Sequence, residues 1–222
     1  MDRNSKSHQF QKYSINPDYM DLILRIATLH NVNPNSTLVL CFLMFDRADF
    51  VLKENIDKAY FDQPLPIGEG QTISQPYTVF FMMKMLELQV RNKVLEIGFG
   101  SGWQTALLSC LIGKSGQVHA TEINQNLKLL GEKNLSKYHL TNIKTYKSEI
   151  SELGLTALKP FDRIICAAAA KNEVPDTLID QLNVGGVLVM PVDDTIVKII
   201  KINSHDYEKI VFPGFSFVPL IY

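Results

Sequence analysis

The sequence is poor in cysteine and in long apolar runs. Its three cysteines, Cys41, Cys110 and Cys166, are odd in number and widely spaced. In apolar surroundings this pattern predicts buried reduced thiols rather than disulfides or a metal site, and it favours a reducing cytoplasm. No apolar run approaches the roughly 18 residues that a membrane span needs, and the polar first residues lack the apolar core of a signal peptide. We therefore expect a soluble cytoplasmic protein with no membrane partner.

An excess of either charge is also missing, since 22 lysines and arginines face 23 aspartates and glutamates. No global basic field draws the chain to nucleic acid, so we expect no nucleic-acid partner. The five histidines form no metal-binding or triad-like pattern, and we expect no metal. Repeats, low-complexity tracts and linkers are absent as well. With 222 residues, 46% of them hydrophobic, we expect one globular domain over residues 15–222 and a mobile tail over residues 1–14.

The first third of the chain predicts a helical cap. Residues 17–30 carry apolar side chains at helical spacing after a favourable start at Asn16, and residues 38–45 form a second helical segment. The two prolines and two glycines of residues 64–70 predict an irregular loop. A third helix is expected from Ser74-Gln75-Pro76 to about Leu88.

From residue 93 onward the pattern alternates strand and helix. The predicted strands are 93–97, 117–122, 143–147 and 161–167, and the predicted helices are 103–111, 124–138 and 175–182. We predict a turn at Gly185-Gly186 before a strand at 187–191. Residues 195–203, 209–211 and 215–220 have strand-like composition with no helix between them. The fold class is therefore α/β, with a doubly wound, mostly parallel, seven-stranded Rossmann-like sheet that ends in antiparallel strands.

A glycine loop follows the first strand of this sheet. Gly98, Gly100 and Gly102 alternate with other residues, so the backbone can turn sharply and approach a ligand closely. The pattern is Gly-x-Gly-x-Gly, which differs from the Gly-x-Gly-x-x-Gly of dinucleotide enzymes and is weak evidence alone. Glu122 ends the next strand about 20 residues later, where such folds place an acid that binds ribose hydroxyls. The alternative is that Glu122 caps the helix beginning near Asn124.

Ser148 and Glu149 follow the third strand at the same predicted edge of the sheet. They could approach an adenine ring there, although a simple turn explains them equally well. The glycine loop, the acid and this polar pair together resemble the cofactor half of S-adenosylmethionine-dependent methyltransferases.

Four blocks of the sequence resemble protein-L-isoaspartate O-methyltransferases more closely, and they occur in that family's order. They are residues 67–76 (IGEGQTISQP), 94–105 (VLEIGFGSGWQT), 160–165 (PFDRII) and 217–220 (FVPL). The first block is the most specific, because ordinary methyltransferases do not carry it there. The resemblance covers roughly residues 38–220.

The resemblance implies methyl transfer from S-adenosyl-L-methionine to a free carboxylate of L-isoaspartyl or D-aspartyl residues in damaged proteins. S-adenosyl-L-homocysteine would be the product. A carboxylate is ionised at neutral pH, so it needs no general base to act as a nucleophile. Ser74 matches the family's active-site serine and would position substrate or cofactor, although it could also serve as a helix N-cap. The implied cofactor-binding set is Thr72, Ile73, Ser74, Glu96, Gly98, Gly100, Ser101, Gly102, Glu122, Ile123, Ser148 and Glu149.

Some positions depart from the family pattern. Ser148-Glu149 stands where Gly-Asp is usual, Trp103 replaces a usual tyrosine and is best explained by packing, and residues 167–171 read Ala-Ala-Ala-Ala-Lys. Asp193-Asp194 would repel a carboxylate substrate unless Lys171 or Arg163 compensates or the pair points to solvent.

Three functions therefore stay open at this point. The first is repair of isoaspartyl proteins, which would be the substrates. The second is methylation of a carboxylate on a dedicated peptide or small molecule. The third is a cofactor-binding adaptor that has lost turnover. The oligomeric state is not determined by the sequence, and we favour a monomer.

Overall fold

The computed structural model describes residues 15–222, so the predicted mobility of residues 1–14 lies outside the described residues. The helices are α1 (Pro17–Leu29), α2 (Thr37–Met44), α3 (Pro76–Leu86), α4 (Trp103–Ile112), α5 (Gln125–Leu135) and α6 (Asp176–Asp180). The strands are β1 (Leu65–Gly68), β2 (Gln71–Ile73), β3 (Lys93–Ile97), β4 (Gln117–Glu122), β5 (Ile143–Lys147), β6 (Phe161–Cys166), β7 (Leu182–Val192), β8 (Thr195–Lys201) and β9 (Tyr207–Pro213). Short 3-10 helices occur at Arg47–Asp49, Lys53–Lys58 and Thr156–Leu158.

The central sheet has seven strands in the order β5-β4-β3-β6-β7-β8-β9. The pairs from β5 to β7 are parallel, whereas β8 and β9 are antiparallel additions. The predicted fold class is therefore confirmed. The chain runs outward in one direction from β3 to β5 and in the other from β6, so the strand order reverses between β3 and β6. In open α/β sheets a ligand crevice forms at the carboxyl ends of the strands at such a reversal.

Helices cover both faces of the sheet. One apolar cluster joins the cap helices and α3 to α5 against the sheet, with Tyr19, Phe42, Phe80 and Trp103 among its fully buried side chains. A second cluster packs α6 and the segment around Leu153 against the opposite face. Within residues 15–222, every helix is too short or too polar to span a lipid bilayer.

The segment predicted as an irregular loop, residues 64–70, is instead part of a two-stranded hairpin. Strands β1 and β2 pair antiparallel, with Leu65 opposite Ile73 and Pro66 opposite Thr72. Proline is tolerated there because a two-stranded ribbon leaves its free edge without a partner. The turn is made by Gly68, Glu69 and Gly70, all with positive φ.

Two expectations near the C-terminal end were also wrong. Gly185 and Gly186 lie inside β7. The pairing of β7 with β6 shifts register across them, from Phe161 opposite Leu182 to Arg163 opposite Val187. The glycines therefore form an irregularity within the strand, and the predicted turn before it does not exist. Residues 215–220 form no strand of the sheet. Their strand-like pairing is limited to an isolated bridge between Ala169 and Pro219.

The prediction that all three cysteines are reduced was wrong for two of them. Cys41 in α2 and Cys110 in α4 form a disulfide, with their Cα atoms 5.9 Å apart. The sequence separation of 69 residues hides this proximity, which arises because α2 packs against α4. Cys166 is a buried free thiol, and burial raises the pKa of this thiol to about 12.

Candidate cofactor and substrate site

A cavity of about 350 Å³ lies at the carboxyl ends of β3 to β6. Six separate stretches of chain contribute its walls, within residues 67–72, 97–100, 121–127, 148–154, 167–168 and 218–222. Its volume falls in the range of roughly 300–1,000 Å³ that is typical of small-molecule sites. The cavity therefore occupies the crevice that the strand reversal creates.

The glycine loop forms the floor of this cavity. The N–H groups of Gly98 and Phe99 both donate to the Thr121 carbonyl oxygen, at 2.8 and 3.1 Å, which ties the loop to β4. Gly98 and Gly100 line the cavity and have φ values of 77° and 47°, a region that residues with a Cβ atom rarely occupy. Gly102 does not line the cavity and is the N-cap of α4.

Glu122 points into the cavity from the end of β4. One carboxylate oxygen accepts a hydrogen bond from the Gly100 N–H at 3.0 Å, and the other accepts from the Asn124 N–H at 2.9 Å. Each carboxylate oxygen keeps a further lone pair that can accept from ligand hydroxyls. The alternative role as helix cap was wrong, since the Asn124 side chain caps α5 by accepting from the N–H groups of Asn126 and Leu127.

The walls of the cavity are acidic. Glu69, Glu122, Glu149 and Glu152 line it, and no lysine or arginine does so among the described residues. Such a lining favours a ligand that carries positive charge and disfavours phosphates. The predicted residues Ile123 and Ser148 also line this part of the cavity. The Ser148 N–H donates to the Glu122 carbonyl oxygen at 3.0 Å.

Two small crevices of about 40 Å³ each adjoin the cavity. Thr72 and Ala167 line both crevices and the cavity, and Ser74 lines the two crevices. Ile73 and Ser101 line the first crevice. The predicted serine therefore lies beside the cavity, separated from it by Thr72 and Ala167.

Ser74 does not serve as the N-cap of α3. Gln75 occupies that position, and its own side chain accepts no cap hydrogen bond. The Tyr77 N–H in the first turn donates instead to the Asp62 carboxylate at 2.8 Å. The Ser74 hydroxyl is consequently free of a capping duty.

Glu96 lies apart from both the cavity and the crevices. Its side chain is fully buried, one oxygen accepts from the Gln104 amide at 3.1 Å, and the other has no hydrogen-bond partner among the described residues. Burial raises the pKa of this carboxyl to about 7, with a small further contribution from the charge of Glu122, while the Thr105 hydroxyl and the Gln104 amide oppose the shift. Glu96 and Gly102 are thus the two members of the predicted set that line none of these spaces.

The acidic pair Asp193-Asp194 faces solvent. Both residues are exposed, and the Asp193 carboxylate accepts from the Asn172 N–H at 3.2 and 3.3 Å. Arg163 does not line the cavity, and its guanidinium donates to the Glu87 and Asp162 carbonyl oxygens, so it does not compensate charge at the cavity. The expected repulsion of a carboxylate substrate therefore has no structural basis.

Sequence reasoning missed several residues of the site. Val218 and Leu220 line the cavity because the Ala169 N–H donates to the Val218 carbonyl and the Leu220 N–H donates to the Ala169 carbonyl, each at 2.8 Å. Both residues belong to the block 217–220, and the resemblance of this block to the family was a signal in the sequence that could have marked them. Gly131 in α5 gave no signal in the sequence, yet a Cβ atom there would lie 2.5 Å from the Gly100 carbonyl oxygen.

Within residues 15–222, no group of three or more acidic, histidine or cysteine side chains is placed to hold a metal ion.

A glycine loop, an acid at the end of the second parallel strand and a cavity at the strand reversal define a Rossmann-like, cofactor-binding α/β protein. The family model for protein-L-isoaspartate(D-aspartate) O-methyltransferase (PCMT) matches residues 21–221. The chain belongs to this family.

Named relatives agree with this assignment. The chain is 41% identical over 180 residues to protein-L-isoaspartate O-methyltransferase of Thermosipho melanesiensis, covering 79% of this chain and 89% of the relative. It is 45% identical over 178 residues to protein-L-isoaspartate O-methyltransferase 1 of Pelobacter propionicus, covering 78% and 81%.

Solved structures share the fold. A protein of Plasmodium falciparum, described as a protein-L-isoaspartate O-methyltransferase in complex with S-adenosyl-L-homocysteine, superposes with a TM-score of 0.80 at 22% identity. The match covers 92% of this chain and 99% of that one. A second structure of a protein-L-isoaspartate O-methyltransferase gives a TM-score of 0.79, also at 22% identity, and covers 90% of this chain and 65% of that one.

Proposed function

We propose that this protein transfers a methyl group from S-adenosyl-L-methionine to the free carboxylate of L-isoaspartyl or D-aspartyl residues in damaged proteins, the first step of their repair. The observation that carries the proposal is the continuity between an acidic, cofactor-sized cavity and the crevices beside Ser74, with Thr72 and Ala167 lining all three. Membership of the family supports the same reaction and the same substrates.

The cavity suits this cofactor better than it suits a dinucleotide. S-adenosyl-L-methionine carries a sulfonium cation, which four lining glutamates attract, whereas the pyrophosphate of a dinucleotide would meet the same carboxylates with no cation to balance them. Glu122 would accept hydrogen bonds from the ribose hydroxyls, and Gly98 and Gly100 would lie under the methionine end. Ile123, with Ser148 and Glu149, would face the adenine ring. When bound, the cofactor supplies an electrophilic methyl group.

The chain's own task is to align and to exclude water. An isoaspartyl carboxylate is ionised at neutral pH, so no side chain needs to remove a proton from it. Ser74 would hold the substrate carboxylate or its backbone through the hydroxyl, without forming a covalent bond. Thr72 and the stretch from Val218 to Leu220 would close the space around the reacting oxygen and keep water out.

A labelled-methyl assay tests the function directly. The protein is incubated with radiolabelled S-adenosyl-L-methionine and either an isoaspartyl peptide or the same peptide with normal aspartate. We expect base-labile label on the isoaspartyl peptide alone. Activity that rejects both peptides would point to a dedicated carboxylate substrate, and cofactor binding without transfer would point to an adaptor.

The variant Glu122→Gln tests the role of Glu122. It should weaken cofactor binding by about 1–3 kcal/mol, because a neutral amide accepts hydrogen bonds less strongly and presents donors to the ribose. Unchanged affinity in calorimetry would remove Glu122 from the site.

The variant Ser74→Ala tests the role of Ser74. It should lower kcat far more than it weakens cofactor binding, since the hydroxyl acts on the substrate side. Wild-type turnover would remove Ser74 from the site.

We further propose that residues 15–222 act as a single domain and that the protein works as a cytoplasmic monomer, without nucleic acid. Fractionation of the producing cells tests the compartment, and we expect the protein in the cytoplasmic fraction. Recovery in another fraction would contradict the proposed location.

A further inference from the structure

A fully buried arginine lies behind Ser74. Arg47 begins the 3-10 helix that follows α2. Among residues 15–222, its guanidinium donates only to backbone carbonyl oxygens. Nη1 donates to Ala59 at 2.8 Å and to Phe61 at 3.2 Å, and Nη2 donates to Gln63 at 2.8 Å and to Ser74 at 3.1 Å. One side chain thus joins the loop before the hairpin to the backbone of the predicted active-site serine.

This cation has no carboxylate partner among the described residues. Its Nε has no hydrogen-bond partner, and burial lowers the pKa of Arg47 to about 10, so the group stays charged at neutral pH. A buried charge without an ion pair is costly, and here it is offset by carbonyl dipoles and by the Trp103 ring, whose centroid lies 5.6 Å from the guanidinium carbon. An apolar side chain would fill the same space without that cost, which points to a requirement for the fork of donors.

Arg47 contacts both the start of α4, which follows the glycine loop, and the backbone of Ser74. Trp103 is the first residue of α4, directly after the glycine loop. Ser74 lines the crevices beside the cavity. Asp62, in the loop held by the guanidinium, accepts from the Tyr77 N–H and so fixes the start of α3. Arg47 therefore lies between the end of the glycine loop and Ser74, on the side away from the cavity.

We propose that Arg47 is a positioning residue for Ser74. Its hydrogen bond to the Ser74 carbonyl, together with the bonds that hold the preceding loop, sets the position of the serine relative to Trp103 and the glycine loop. The inference rests on the proposed function of Ser74. Arg47 acts through the Ser74 backbone and touches neither substrate nor cofactor.

Arg47→Lys is the informative change, because lysine keeps the charge but is a single point donor that cannot reproduce the planar fork. Arg163→Lys is the matched control, since Arg163 is also buried and donates to backbone carbonyls, but far from the cavity. We expect Arg47→Lys to lower kcat at least tenfold and to leave cofactor Kd within twofold. Arg163→Lys should lower thermal stability and leave kcat within twofold. Should Arg47→Lys fail to fold, Arg47→Gln takes its place.

The Ser74→Ala background separates positioning from general damage. If Arg47 acts through Ser74, Arg47→Lys should cause no further loss of kcat in that background. A tenfold loss in both backgrounds, or equal losses of kcat from Arg47→Lys and Arg163→Lys, would overturn the proposal.

Hydrogen exchange supplies a readout without turnover. Exchange within residues 59–77 should rise in Arg47→Lys while the rest of the chain stays protected. If the wild-type protein methylates no isoaspartyl peptide, the proposed function fails on its own. Unchanged exchange over residues 59–77 would reject the role of Arg47 in either case.

Discussion

An added methyl group at Gly131 would collide with the loop that lines the cavity. A Cβ atom there would lie 2.5 Å from the Gly100 carbonyl oxygen and 2.5 Å from the Phe99 ring. Because one of these contacts is backbone, the glycine loop must move. Overpacking of this kind costs about 1–3 kcal/mol, and we expect Gly131→Ala to weaken cofactor binding by roughly tenfold or more in calorimetry.

Lys133→Ala is the control, since Lys133 lies on the exposed face of the same helix. It should leave cofactor affinity unchanged. Alanine favours helix more than glycine does, by about 1 kcal/mol, so a general effect on α5 would stabilise the Gly131 variant. Wild-type affinity of Gly131→Ala would show that the loop tolerates the displacement.

Single residues were predictable where a local pattern marks them. Gly98 and Gly100 follow β3, Glu122 ends β4, and each of the three lines the cavity. Gly131 and Arg47 could not be found this way, because their roles come from contacts with segments about 30 and 27 residues distant that exist only in the folded chain. Ser74 was located by resemblance, and its role stays a prediction.

At the scale of elements, the hairpin of β1 and β2 is fastened over the cavity. Glu69 at its turn accepts from the side-chain amides of Asn124 at 3.1 Å and Asn126 at 2.9 Å, at the start of α5. These hydrogen bonds lower the pKa of Glu69, with Asn126 the larger contributor, so the carboxylate is ionised at neutral pH. We expect Glu69→Ala to raise the cofactor dissociation rate several-fold in stopped-flow experiments, with a smaller change in kcat.

Glu54→Ala serves as the comparison for this variant. Glu54 is also exposed, but it lies on the 3-10 helix Lys53–Lys58, outside the cavity lining. The Glu54 variant therefore removes the same charge and leaves the hydrogen bonds of Glu69 in place. Its dissociation rate should match that of the wild-type protein. Equal acceleration in both variants would mean that charge, rather than the hydrogen bonds, controls release.

Strands of the parallel sheet were predicted closely, because apolar runs bounded by glycine and polar turns mark buried strands. β3, β4 and β5 have the predicted bounds. The hairpin was missed because proline and glycine dominate its composition, and only pairing between its two strands makes it regular. Residues 215–220 have strand-like composition, yet they follow the last strand at a place where Ala169 offers a single bridge.

For the whole molecule, Glu96 makes stability depend on pH. Burial raises the pKa of this carboxyl from its ordinary 4.5 to about 7 in the folded protein. Between these two pH values the folded state holds a proton that the unfolded state has released, so stability falls as pH rises. Above about pH 7 the full penalty is present, on the order of 3 kcal/mol. It is absent below the unfolded-state value.

Glu96→Gln removes this titration. In urea unfolding without cofactor, the variant should gain stability relative to wild type across the interval from pH 4.5 to pH 7, by up to about 3 kcal/mol. A difference that stays constant with pH would mean that Glu96 is ionised throughout.

The architecture as a whole was the most predictable level, since alternating strand and helix patterns allow few topologies. The helical cap, the mostly parallel sheet and its antiparallel end are all present. The Cys41–Cys110 disulfide was not predictable, because it depends on how α2 packs on α4 rather than on any local pattern.

The walls of the cavity come from six stretches between residues 67 and 222, so the cavity exists only in the native state. The cofactor therefore binds the folded chain and not the unfolded chain. By mass action, this binding shifts the equilibrium between the two states toward the folded chain. A cofactor concentration 100 times Kd would add about 2.7 kcal/mol to the free energy of unfolding. The lifetime of the enzyme in the cell is thereby tied to the supply of the methyl donor.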